Sequence, residues 1–200
     1  GLGAAAPLAL AAKKAIDFEE SMADVSKVLS LQRGSKELNK MATGAQKLGV
    51  HLAKSPSQAA EMIAALAQGG TAKKELFDIG KFTGEMSVAF DIMAGTAGDA
   101  FAKTRNALGA TTEATKEVMN AINFLSDNTA SKASQILTFM ASGGAASARM
   151  LKITGQEAAS LGAFFISMGK SGSEAATIVS RMTKKLEQNS KLYQEADISV

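Results

Sequence analysis

Apolar side chains recur every three or four positions along most of this chain, and glycine, serine and threonine break the runs. That spacing is the signature of amphipathic helices. Phe18, Met22, Val25 and Leu29 form the first stripe and predict a helix from about residue 11 to residue 31. Gly34 breaks the chain and Ser35 caps a second helix, with Leu38, Met41, Ala45 and Leu48 inside and Gly49 at its end. Ser55 caps a third, and Pro56 sits at its first position, where a missing amide costs nothing. Ala59, Met62, Ile63 and Leu66 are its buried side, and Gly69-Gly70 stops it. A short helix is expected from Thr71 to Ile79. Thr83 is read as opening another, with Met86, Ala89, Phe90 and Met93 on one face, and Thr96 a further one with Phe101 and Leu108.

Thr112 starts a stronger helix carrying Val118, Ile122 and Leu125, and Asp127-Asn128 end it. Ser131 or Ala133 begins the next, which uses Ile136, Leu137 and Met140 until Gly143-Gly144 interrupts; residues 145–153 follow. Two capped helices close the pattern. Thr154 with Glu157, and Ser171 with Glu174, have the spacing of capping boxes: a hydroxyl meets an orphan amide while the carboxylate reaches back. Their apolar stripes are read as Ala158, Leu161, Phe165, Met168 and as Ala175, Ile178, Met182, Leu186, with the turn at Gly169 to Gly172. An echo links SPSQAAEMIAALAQGG with TGQEAASLGAFFISMGKSG: each runs cap, Ala-Ala, apolar stripe, glycine. The alignment is drawn with a one-residue slip, leaves duplication open, and fits no fixed solenoid period.

The fold class is therefore all-α: an array or bundle of short helices joined by Gly, Ser and Thr breaks, with antiparallel neighbours. Composition agrees. Hydrophobic residues are 46% of the 200, but aromatics only 5%. Much of the remainder is alanine, which gives a thin core made by close helix approach. There are two prolines and no alternating β-branched runs. We divide the chain into an Ala-rich helical lead-in at 1–14, a helical domain at 15–188, and the start of a following segment at 189–200. A glycine start and an end at Val200 without a stop signal fit a piece of a longer protein; removal of an initiator methionine would leave the same first residue.

Charge and chemistry narrow the function. The net charge is +3, from 22 basic and 19 acidic side chains with interspersed signs. The pairs Lys13-Lys14, Lys73-Lys74 and Lys184-Lys185 are scattered rather than gathered into a stripe, so no specific nucleic-acid binding is expected. With no cysteine, thiolate chemistry is excluded and redox compartment is undetermined. The longest apolar run, Leu2 to Ala12, is too short to span a bilayer and contains Pro7.

Each reactive-looking group has a plainer reading. Gly169-Lys170-Ser171 looks like the end of a P-loop, but Phe164 stands where the first glycine belongs and a helix, not a strand, precedes it. We read it as a helix corner. His51, the only histidine, is read as a polar helix-end residue. Asp17, Glu19, Glu20 and Asp24 could bind a hard cation or do acid–base work, but their spacing is that of a solvated helix face beside Lys27. Most of the ten methionines, including Met22, Met62, Met93, Met168 and Met182, sit on apolar stripes and are read as core. Small-residue spacings such as Gly95 with Asp99 and Ala141 with Ala145 allow close helix contact. We expect a non-enzymatic interaction or scaffold domain with no catalytic, cofactor-binding or metal-binding residue and no cofactor.

Three segments in order carry a resemblance: AIDFEESMADVSKVL (residues 15–29), HLAKSPSQAAEMIAALAQGG (residues 51–70) and the capped pair QEAASLGAFFISMGKSGSEAATIVSRMTKKL (residues 156–186). Over about residues 15–186 the chain resembles the helical N-terminal-type region of phage tail tape measure proteins. The resemblance implies a structural tail protein that templates the tail tube, sets its length and is released during DNA ejection. The implied partners are the tail tube protein, distal tail and hub or baseplate proteins, tail assembly chaperones and copies of itself. The implied location is the lumen of the virion tail, after assembly in the host cytoplasm. No catalytic residue transfers. The alternative is a membrane-active helical module, pore or channel forming, which assists genome delivery through transient membrane contact. An Ala-, Gly- and Met-rich composition and the apolar start motivate it.

Overall fold

The structure, a computed structural model, describes residues 5–189. All regular structure among them is helical: α1 (Ala5–Val28), α2 (Lys36–His51), α3 (Pro56–Gln68), α4 (Leu76–Ala89), α5 (Ala94–Leu108), α6 (Thr112–Asn128), α7 (Ala133–Phe139), α8 (Ala145–Leu151), α9 (Gly155–Ser167) and α10 (Gly172–Gln188). A single 3₁₀ turn at Lys73–Glu75 leads into α4, and a widened turn at Met140–Gly144 joins α7 to α8. Residues 1–4 of the expected lead-in and nearly all of the segment at 189–200 lie outside the described residues.

Several helix starts follow the sequence signals. Ser35 caps α2 by accepting from the Leu38 amide at 3.1 Å. Ser55 and Gln58 close a reciprocal box at α3, with Pro56 at its first position. Thr111 caps α6 through the Ala114 amide. Such caps satisfy amides that have no partner within the helix.

Four expectations are corrected. The first helix begins at Ala5 and ends at Val28, earlier at both ends than the stripe suggested. Gly49 does not end α2. It is buried in the last turn, where a side chain would press on the Lys54 carbonyl, and the chain turns at Ala53 with φ 51°. Thr83 opens no helix. It lies inside α4, and its hydroxyl donates back to the Ile79 carbonyl at 2.9 Å, a use of threonine that needs no break. Thr96 likewise falls inside α5, which starts at Ala94.

The contacts divide the chain into two compact units, Gly1–Ala102 and Lys103–Val200, so the division falls within α5. In the first unit α3 is central and packs on α1, α2 and α4. Its Ala59, Ala60, Met62, Ile63 and Leu66 are buried, as are Val25 of α1 and Leu76 and Ile79 of α4. In the second unit α9 is central and packs on α6, α7, α8 and α10. Here Ile122, Ile136, Phe139 and Met140 supply the bulk, and alanines of α8, α9 and α10 fill the rest.

The two units follow one plan. A constant offset places Ser55 on Thr154, Gln58 on Glu157, Ala59-Ala60 on Ala158-Ala159, and Gly70 on Gly169, without the one-residue slip drawn from sequence. The turns agree. Ala53 (φ 51°) and Lys152 (φ 56°) hold the left-handed residue before each central helix, and Gly70 (φ 83°) and Gly169 (φ 86°) hold the one after it. The same offset carries Lys73–Ala89 onto Gly172–Gln188, and α2 onto the α7–α8 pair. The chief difference is at the second position, where Gly143, with φ 138°, breaks the helix that α2 keeps whole.

Candidate functional site

The acidic residues singled out on α1 come together at the mouth of a cleft. Asp17, Glu20 and Asp24 line one wall of a groove of about 990 Å³, with Glu61 of α3 and the capped start of α3 (Ser55 to Gln58) on the other side. Asp17 is half-buried, and Glu19, Glu20 and Asp24 are exposed. The Asp17 backbone carbonyl accepts from the Ser21 hydroxyl at 2.9 Å. Among the described residues no three His, Asp or Glu side chains converge closely enough to hold a metal ion. The arrangement is a solvated acidic rim beside the dipole-positive end of α3, which favours negative side chains there.

His51 ends α2 as read, and its Nε2 lies 3.8 Å from Glu85 Oε1 with both side chains more than half exposed. Gly169, Lys170 and Ser171 form the corner between α9 and α10. Gly169 supplies the left-handed turn, and Ser171 accepts from the Glu174 amide at 3.2 Å. Glu174 returns the contact by accepting from the Ser171 amide at 2.8 Å. At α9, Glu157 accepts from the Thr154 amide at 2.7 Å and its hydroxyl at 2.9 Å. These backbone and hydroxyl donors hold both carboxyls below the ordinary carboxylate value, the backbone bond contributing most.

The structure corrects the reading of several methionines. Met93, Met168 and Met182 are exposed at 74%, 64% and 48%. On α10 the buried line is Gly172, Ala175, Ala176, Val179 and Thr183, one position round from the stripe drawn through Ile178 and Met182. On α9 it is Ala158, Ala159, Gly162, Ala163 and Ile166, with Phe165 half-buried and Phe164 exposed. In a core built by close approach the small residues go inside, and size misleads where smallness is the requirement. Phe124 of α6, also exposed, carried no signal in the sequence reading. No described helix is long and apolar enough to cross a membrane.

These observations define an all-helical structural module whose surface offers grooves and apolar faces. Residues 42–200 match the model of the family described as phage-related minor tail protein, and the chain belongs to that family. It is also similar to the probable tape measure protein of Halomonas phage phiHAP-1, with 29% identity over 174 residues, 82% of this chain and 20% of that protein. The chain thus spans a fifth of the length of this curated relative. No solved structure matches it. The resemblance read from the three segments agrees with both matches. Membership makes the chain part of a phage tail protein, associated with the virion.

Proposed function

We propose that this chain is a helical segment of a tape measure protein, which templates assembly of the tail tube, sets tail length and leaves the tube when DNA is ejected. The observation that carries the reading is the similarity over 82% of the chain to a probable tape measure protein. Its partners on this reading are the tail tube protein, the distal tail and hub proteins, the assembly chaperones and copies of itself. It resides in the tail lumen after assembly in the host cytoplasm, and its role is mechanical rather than catalytic. Short helices, several of them begun by a side-chain cap, over a core rich in alanine, suit a segment that must rearrange on exit.

The test is genetic. In the parent protein, residues 36–189 are deleted in one phage and duplicated in another, and tails are measured by negative-stain electron microscopy. Altered length, or loss of assembled tails, is the expected result in both. Tails of normal length and number that deliver DNA normally in both phages would overturn the reading.

A further inference from the structure

The shared plan of the two units exposes one difference that bears on binding. In the first unit the chain leaves α4, turns through Asp91 (φ 52°), and lays the start of α5 across α3 and α4. The approach is close. A side chain at Gly98 would meet the Met62 carbonyl and the Ala65 methyl, and one at Gly69 would strike Ala102. Phe101 packs edge-on to Phe82 of α4, with ring centroids 6.0 Å apart. So α5 touches the first unit at Met62, Ala65, Gly69 and Phe82.

The offset that aligns the units in sequence carries those four positions to Leu161, Phe164, Met168 and Arg181. Nothing among the described residues covers them as α5 covers their counterparts. Phe164 is 57% exposed and Met168 64%; Leu161 is half-buried and Arg181 exposed. Phe164 and Phe165 are edge-on with ring centroids 5.3 Å apart, and Met168 follows Phe164 by one helical turn. A soluble helix does not ordinarily leave three such neighbours to water.

We propose that this face is a docking site for residues 190–200, the segment directly following α10, which lies outside the described residues. The occupant is identified by position and pattern. Ala94, Ala97 and Phe101 are buried in α5. Carried along the chain by the same offset, they fall on Tyr193, Ala196 and Val200, all capable of meeting an apolar face and spaced as one helical stripe. The segment also carries Glu195, opposite in charge to Arg181 of the face. The glycines of α5 have no counterpart, and none is needed. Phe164 and Met168 stand where the first unit has Ala65 and Gly69, so they hold an incoming segment farther from the α9 backbone. The inference rests on the internal comparison alone and is independent of the role proposed in the tail.

The sequence supplies its own probe, because Tyr193 is the sole tyrosine and there is no tryptophan. Acrylamide quenching of tyrosine fluorescence in the 200-residue chain reads its shielding directly. The expected quenching constant is several-fold below that of N-acetyltyrosinamide. Shielding should be lost in the Phe164→Ser, Met168→Ser double variant, whose altered side chains are exposed and whose helicity is checked by circular dichroism. Ala196→Glu on the segment itself should abolish it too, while Phe124→Ser on α6 should leave it intact. Three results would overturn the proposal: quenching like the free amide in the unaltered chain, shielding that survives both the double variant and Ala196→Glu, or shielding that disappears on dilution, which would make a second copy the occupant.

Discussion

The flat face of Gly162 lies directly against the ring of Phe139. A methyl at this position on α9 would strike the ring atoms, and one at Gly144 would strike the same ring from another side. Phe139 is fully buried, so its ring has nowhere to retreat. Two glycines therefore make the slot that lets the largest side chain of the second unit's core sit between α7 and α9. Gly162→Ala is expected to destabilise the protein by about 1–3 kcal/mol, the usual penalty of overpacking, despite alanine's better helix propensity. A urea titration followed by circular dichroism measures it. A gain in stability would mean that Phe139 has room to move.

The three capping boxes give a prediction about acid. Glu157 and Glu174 have folded-state affinities for protons below the ordinary value of 4.5, because the Thr154 and Ser171 amides and hydroxyls bond their ionised forms. A lowered folded value means the stabilisation is present above the unfolded value and is lost as pH falls through the folded one. Stability should thus fall on the acid side of 4.5. Gln58, which accepts from the Ser55 amide at 3.0 Å, performs the same task without charge. The Glu157→Gln, Glu174→Gln variant should keep both helix starts yet show a shallower loss of stability as pH falls below 4.5. Equal acid slopes in variant and parent would contradict this origin.

Thr71 and Thr83 make a matched pair of buried hydroxyls. Thr71 Oγ1 is buried without a hydrogen-bond partner, whereas Thr83 Oγ1 reaches the Ile79 carbonyl. Valine has threonine's shape without its polar group. Thr71→Val should stabilise the protein by about 1 kcal/mol, since a buried unpaired hydroxyl is penalised by its lost hydration. Thr83→Val, which removes a satisfied hydroxyl, should gain less or lose stability. Thermal melts of the two variants decide it.

His51 and Glu85 face each other across 3.8 Å of largely solvated space. Exposed pairs of this kind contribute about 0–1 kcal/mol. His51→Ala should therefore shift the urea midpoint by no more than the error of the measurement. A large loss would mean the histidine has a partner beyond this contact.

Much of this fold was legible because its signals are local. Ser35, Ser55, Thr154 and Ser171 each announce a helix start through a hydroxyl three residues before the amide it caps, and that relationship needs no tertiary information. The α3 stripe through Ala59, Met62, Ile63 and Leu66 was legible for the same reason. What the sequence hid depends on neighbours. Thr83 reads as a start signal unless its hydroxyl is known to bond within the helix. Met168 and Met182 read as core because they are apolar, yet Gly162 and Ala176 take the inner positions through close approach. The surface face around Phe164 was invisible in the sequence, since its exposure depends on which side of α9 is buried.

The caps have one further consequence. Instructions written within three residues of the starts of α2, α3, α6, α9 and α10 survive the loss of every long-range contact. A chain drawn out straight through a narrow passage would lose its packing and keep its punctuation. Helical turns re-form in about a microsecond or less, so such a chain would regain its segments in their correct places before any two of them met again. Refolding then reduces to docking pieces that already know where they begin.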